Sequence, residues 1–271
     1  MNDLNDKVID GFGDNFKHIH SYGSAPLVVL FGPIASGKTM SLIRLSCYLM
    51  KKGYTVRPIE SFKDPTDQYY KKVCDEFYER CFGDFASSAT AVSDMLLVGV
   101  LDKHGKMVCQ LLDAPGSLFF DNNEFEDDFP TYLHSIIGIP NKRVWCFYVE
   151  QGWDYETRKK YLVRVDRLVR MTSPKDKFIF VFNKVDETDF EKKVGMVSKT
   201  TLLNEIQNGD PFVLNNFRKS SLISWLRLYK CQFVPFSSGV FSKTDLEKKV
   251  HYFTGPEKYP QGFWKALRKC I

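Results

Sequence analysis

The sequence predicts an α/β domain with a six-stranded, mostly parallel sheet, one strand of it antiparallel, and helices on both faces. Short β-branched and aromatic runs alternate with longer stretches of helical spacing, the pattern of crossover units around a parallel sheet. One junction, Asp102-Lys103-His104-Gly105, is too short for a crossover and makes its flanking strands an antiparallel hairpin. Several polar turns follow directly on expected strand ends, where open α/β sheets bind ligands.

Taken in order, the expected strands are Leu27–Phe31, Asp94–Leu101, Met107–Leu112, Val144–Val149, Phe178–Phe182 and Gln232–Phe236. Helical spacing is expected near Lys38–Lys51, Thr66–Cys81, Tyr155–Met171, Lys199–Gln207, Leu222–Leu228 and Gly262–Cys270. The connections are long enough for right-handed crossovers everywhere except the hairpin. An N-terminal extension over 1–25 precedes a single domain over 26–271, with helical insertions near 54–89 and 187–227.

Composition narrows the function classes. Hydrophobic residues at 44% and charged residues at 26% are globular values, against a disordered or fibrous chain. A net charge of +5, spread along the chain rather than gathered in basic blocks, lends nucleic-acid binding no support. The seven cysteines form no Cys-x-x-Cys pair and sit mostly in apolar runs, as reduced thiols of a cytoplasmic protein do. No leader or transmembrane run is expected. Cys270 is not placed for a prenylation box, and Arg268 and Lys269 beside it leave palmitoylation open.

The decisive segment is Gly32-Pro33-Ile34-Ala35-Ser36-Gly37-Lys38-Thr39, which fits G-x-x-x-x-G-K-[ST] and follows the first strand. Phosphate oxygens need many donors at short range, and the backbone N–H groups from Ala35 through Ser36 to Thr39 supply them at a helix N-terminus. Gly32 and Gly37 allow the tight turn. Lys38 is expected at the β- and γ-phosphates and the Thr39 hydroxyl on Mg2+. Three further turns close later strands: Asp113-Ala114-Pro115-Gly116 fits D-x-x-G, Asn183-Lys184-Val185-Asp186 fits N-K-x-D, and Ser237-Ser238-Gly239 follows the last strand. Asp113 would stand near Mg2+ and the Gly116 N–H near the γ-phosphate. The serine loop reads either as a backbone donor to a purine carbonyl or as a helix cap.

Together these motifs resemble those of small Ras-like GTPases of the translation-factor-related (TRAFAC) P-loop class, over roughly Leu27 to Ser238. The ending around Tyr259-Pro260 and Trp264 is similar to bacterial GTPase domains that sit beside partner GTPases. The resemblance implies a P-loop NTPase G domain, GTP/GDP as ligand, Mg2+ as cofactor, and two switch segments read by a protein effector or regulator. It also implies that Asn183 braces the neighbouring loops and the Lys184 stem covers the base. Guanine selection then has a physical basis, because Asp186 accepts from the ring N–H and exocyclic amine of guanine, whereas adenine presents an acceptor in place of that ring donor. Lys38 and Thr90 are the catalytic candidates. Thr90 is the best-placed first-switch threonine, a second Mg2+ ligand, with Ser87 and Ser88 as rivals and a surface threonine as the bland alternative.

Hydrolysis departs from the resemblance. Ser117 stands where a water-orienting glutamine usually follows D-x-x-G, and Ile34 occupies a loop position commonly glycine, so slow turnover is expected. Arg57 or Arg80 could serve as a built-in arginine finger. The aromatic first insertion also reads as core packing. A nucleotide-holding subunit with negligible hydrolysis and a P-loop kinase remain as alternatives, and a kinase has no need of Asn183–Asp186.

Overall fold

A strand buried on both faces should be apolar throughout rather than alternating, and Leu-Val-Val-Leu-Phe of β1 (Leu27–Phe31) is apolar and buried at every position. In this computed structural model, which describes residues 24–82, 85–86, 95–114, 116, 129, 131–150, 152–209, 213–217, 229–243 and 250–271, that strand lies at the centre of the main sheet. The other strands in chain order are β2 (Thr55–Pro58), β3 (Phe85–Ala86), β4 (Leu96–Leu101), β5 (Met107–Asp113), β6 (Arg143–Glu150), β7 (Lys177–Asn183), β8 (Glu191–Lys193), β9 (Met196–Val197), β10 (Cys231–Pro235), β11 (Val240–Lys243) and β12 (Val250–Phe253). The helices are α1 (Lys38–Lys51), α2 (Gln68–Phe82), α3 (Thr131–Gly138), α4 (Tyr155–Met171), α5 (Lys199–Gly209) and α6 (Lys258–Cys270).

The main sheet has seven strands in the order β10-β7-β6-β1-β5-β4-β2, one more than the sequence predicts. Only β4 runs against the others, pairing antiparallel with both β5 and β2, so the expected single reversed strand is present. The extra strand β2 lies inside the segment expected as an insertion. Its four residues, Thr-Val-Arg-Pro, alternate exposed and buried and end in proline, which suits an edge and hides the strand from pattern reading.

Alternate residues of β6 show how the sheet is covered. Phe147 packs with Phe31, Phe180 and Phe217, and Tyr161 of α4 meets Phe31 on that side. Tyr148, one residue on, points to the opposite face, where its hydroxyl lies against Ser41 of α1. α1 therefore covers one face with its packing partner α6, and α4 covers the other. On α6, Tyr259, Phe263 and Leu267 recur at four-residue intervals and are buried as one stripe, while Trp264 packs edge-on to Tyr54.

α4 matches its expected bounds, and Asp154 caps it by accepting from the Thr157 N–H. α6 begins at Lys258, four residues before the expected Gly262, because Pro260 falls in the first turn, where a missing N–H costs nothing. α3 has no counterpart among the expected helices. The helix expected near Leu222–Leu228 lies outside the described residues, as does Asp94 at the start of the expected second strand. Among the described residues no helix is long and apolar enough to cross a membrane. Cys270 is buried on α6, a position that does not favour lipid attachment.

Two small sheets accompany the main one. β11, β12 and β3 form an antiparallel three-stranded sheet, and β8 and β9 a hairpin.

Candidate functional site

The strand order changes direction beside β1: β5 joins it on one side and β6 on the other, both parallel. The loop leaving β1 therefore opens at the switch point of the sheet, where crevices form. Gly37 holds φ 80° and Ala35 φ 60°, a conformation that turns the chain sharply into α1. No side chain caps α1, and its first turn contains no acidic residue, so the amide dipoles there face the crevice without a resident carboxylate.

Lys38 is buried and folds back over this loop, donating to the carbonyl oxygens of Gly32 and Pro33, both at 2.8 Å. Burial lowers its ammonium pKa from 10.5 to about 8, and the nearby Asp113 carboxylate opposes that shift. Asp113, at the end of β5, shows the converse: burial raises its pKa, opposed first by Lys38, then by the Thr39 hydrogen bond and the charge of Arg80. Thr39 Oγ1 donates to Asp113 Oδ2 at 2.5 Å, while Asp113 Oδ1 is buried without a hydrogen-bond partner.

That orphaned oxygen beside a hydroxyl fits a divalent cation. Mg2+ is usually held by one or two protein groups together with phosphate oxygens and water, and Asp113 with Thr39 is such a pair. Among the described residues no group of three or more His, Cys, Asp or Glu gathers to hold a metal, so an all-protein cage is not offered.

The D-x-x-G turn reaches the phosphate loop itself. A Cβ placed on Gly116 would lie 2.3 Å from the Ile34 nitrogen and 2.4 Å from the Pro33 carbonyl carbon, so only glycine permits this approach. Ile34 is 59% exposed at the crown of the loop.

The N-K-x-D turn meets the same loop from the other side. Asn183 ends β7 and donates through Nδ2 to the Ser36 carbonyl oxygen at 2.9 Å. It accepts from Ser238 Oγ at 3.2 Å, and Ser238 Oγ lies 3.5 Å from Ser41 Oγ of α1. A Cβ on Gly37 would fall 2.0 Å from Asn183 Nδ2, which ties the glycine to the asparagine as well as to the turn. Ser36, Ser237 and Ser238 are all buried. Two backbone bonds fasten the loops after β7 and β10 to each other, Val185 N–H to the Phe236 carbonyl and Phe236 N–H to the Phe182 carbonyl.

Beyond Asn183, Lys184 adopts φ 57° and its ammonium pairs with Glu150 Oε1 at 2.6 Å. Asp186 stands exposed on the short 3-10 turn Val185–Glu187, unencumbered by burial. A cleft of about 410 Å³ opens beside Lys184, lined by Glu150, Gly152, Glu187, Thr188 and Asp189.

The structure thus brings together Gly32, Ala35, Ser36, Gly37, Lys38, Thr39, Asp113, Gly116, Asn183, Lys184, Asp186, Ser237 and Ser238 at one end of the sheet. Thr90, its rivals Ser87 and Ser88, and Ser117 lie outside the described residues. Arg80 is ion-paired with Glu76 at 3.3 Å, and Arg57 lies on edge strand β2, two strands removed from β1. Sequence reading missed Glu150, whose only signal was its place at the end of a long apolar strand, and Ser41, which looks like an ordinary helix residue. It also missed the Tyr259 hydroxyl, which donates to both oxygens of Glu191 at 2.6 Å and moors the hairpin after the N-K-x-D turn to α6.

No protein-family model matches the chain, and a search of curated proteins finds no match.

Proposed function

We propose that this chain is a P-loop guanine-nucleotide-binding protein, a GTP/GDP switch whose hydrolysis depends on Mg2+ and is slow. One observation carries the reading: Asn183 joins the phosphate loop to the base-side turn, bonding Ser36 and Ser238 while packing against Gly37. A single nucleotide laid across that junction meets amides and Lys38 at its phosphates and Asp186 at its base. The carboxylate of Asp186 then selects guanine, since two hydrogen bonds to a charged acceptor contribute about 1.5–3 kcal/mol each and adenine cannot make them.

Each residue has a distinct task in this reading. Lys38 exchanges the loop carbonyls for β- and γ-phosphate oxygens, and the Gly116 N–H meets the γ-phosphate. Thr39 and Asp113 hold Mg2+, which neutralises phosphate charge when bound, with Thr90 as the further ligand from the first switch. The Lys184 stem covers the base, held in place by Glu150. Partners read the segments between Phe85 and Phe129.

The test is mass identification of the nucleotide that copurifies, followed by single-turnover hydrolysis with Mg2+. GDP or GTP is expected, with a rate in the unassisted range of about 10⁻⁴ to 10⁻² per second. Copurifying adenine nucleotide, or no measurable guanine-nucleotide binding, overturns the proposal. The exposed Ile34 at the loop crown favours the second reading, a nucleotide holder with negligible hydrolysis, because its bulk occupies the approach of an incoming arginine. Retention of one unchanged nucleotide through repeated exchange attempts would select that reading.

A further inference from the structure

Seven cysteines occur in the chain, and five of them, Cys74, Cys109, Cys146, Cys231 and Cys270, are buried. The two that are partly exposed, Cys47 on α1 and Cys81 in the last turn of α2, touch each other across the α1–α2 contact. Cys47 Sγ donates to the Cys81 carbonyl oxygen at 3.3 Å, which sets the two residues side by side. A disulfide needs two cysteines brought side by side in this way, its Cβ atoms closing to about 3.5–4.5 Å.

We propose that Cys47 and Cys81 are a redox modification site, closed to a reversible disulfide by hydrogen peroxide, and that closure slows nucleotide release. The second half rests on the guanine-nucleotide reading, whereas the first does not.

The chemistry divides between the two thiols. Contact with Cys81, aided by the Lys51 and Arg44 cations, holds Cys47 below the ordinary thiol range against the opposing effect of burial. Cys81 is displaced upward. Lys51 and Arg44 flank Cys47 on the same helix and favour its thiolate, so Cys47 makes the first attack: its sulfur takes one peroxide oxygen to become a sulfenic acid, and hydroxide leaves. The Cys81 sulfur then attacks the Cys47 sulfur, its proton and the sulfenic hydroxyl departing as water. Overall, two thiols and one peroxide become one disulfide and two waters. The buried cysteines compete poorly, since burial pushes the Cys74 thiol up to about 11 and the Cys109 thiol to about 12.

The position gives the bond its effect. α1 begins at Lys38 and Thr39 of the phosphate loop, and α2 ends at Phe82, one residue after Cys81. The chain then feeds β3, which pairs with β12. A disulfide would pin the last turn of α2 to the helix that bears the phosphate loop and restrain β3, which follows it.

The full chain is treated with hydrogen peroxide and digested without reduction for mass spectrometry, while release of fluorescent GDP is timed before and after. The expected result is a Cys47–Cys81 cross-linked peptide, release slowed about fivefold or more, reversal by dithiothreitol, and no slowing in Cys81→Ser. Sulfinic acid at Cys47 without a cross-link, or Cys47 joined to another cysteine, overturns the site. A cross-link with unchanged release overturns the regulation. If the chain binds no guanine nucleotide, the release half falls with that reading, and the cross-linked peptide with its loss in Cys81→Ser still decides the site.

Discussion

Lys38→Met should stabilise the ligand-free protein while abolishing its grip on nucleotide. The drop in the Lys38 pKa from 10.5 to about 8 means that folding places an ammonium where burial penalises it. At about 1.4 kcal/mol per tenfold, the charged form costs about 3 kcal/mol at pH 7. Methionine fills similar volume without the charge but forfeits the bonds to the Gly32 and Pro33 carbonyls, about 1 kcal/mol each. A net gain of about 1 kcal/mol remains, which raises Tm by about 2–4 °C in a chain of this size. The pH dependence follows from the direction of the shift. A cation whose folded pKa lies below its unfolded value carries its full penalty below pH 8, and the penalty fades as pH climbs from about 8 to 10.5. The advantage of Lys38→Met should therefore shrink across that window and reverse near its top. Differential scanning fluorimetry at pH 7 and pH 10 reads both values, and added GTP should raise Tm in the wild type alone. A lower Tm for Lys38→Met at pH 7 would refute the claim that the site holds a penalised charge in wait for an anion.

The other substitutions separate the ends of the site. Gly116→Ala forces the phosphate loop away from a Cβ at 2.3 Å, so affinity should fall about ten- to a hundredfold, measured by titration with circular dichroism unchanged. Asp186→Asn should weaken GTP and favour xanthine nucleotide while leaving inorganic tripolyphosphate binding intact, and unchanged GTP affinity counts against the base assignment. Asn183→Ala removes its two bonds, about 1 kcal/mol each, and should weaken tripolyphosphate as well as GTP, because it braces the phosphate loop through Ser36. Thr39→Ala should cut the difference in GTP affinity between Mg2+ and chelator, with GTP binding in chelator nearly unchanged.

The elements legible in the sequence were those whose local chemistry leaves no second solution. Leu27–Phe31 is uniformly apolar because both faces are covered, and the Gly32–Thr39 pattern needs its glycines wherever it folds. β2 was illegible because an edge strand is specified by its partner β4 rather than by its own four residues. α3 depends on tertiary support as well: Arg143, at the start of the next strand, donates to the carbonyls of Ile136 and Ile139 at 3.2 and 2.8 Å and is itself held by Asp176 from the far side of α4. In the site, the gathering of the four motifs at the strand ends and the bracing role of Asn183 were legible, but the contributions of Ser41 and Glu150 were not, since each acts only through a side chain brought near by the sheet.

The same division between buried centre and supported edge bears on how base and phosphates would be felt together on the guanine-nucleotide reading. β1 and its parallel neighbours β5 and β6 are buried along most of their length. The three-stranded sheet is different, because β3 contributes two residues, paired with Val250 and His251 of β12, too few to be stable without support. β11 starts directly after Ser237-Ser238-Gly239, and β3 ends four residues before Thr90 in the sequence. On the nucleotide reading, a ligand that held the Ser237 loop would favour the small sheet through β11, and the sheet would in turn favour β3. Coupling of this kind needs no displacement of the core, only a marginal element shared by two loops.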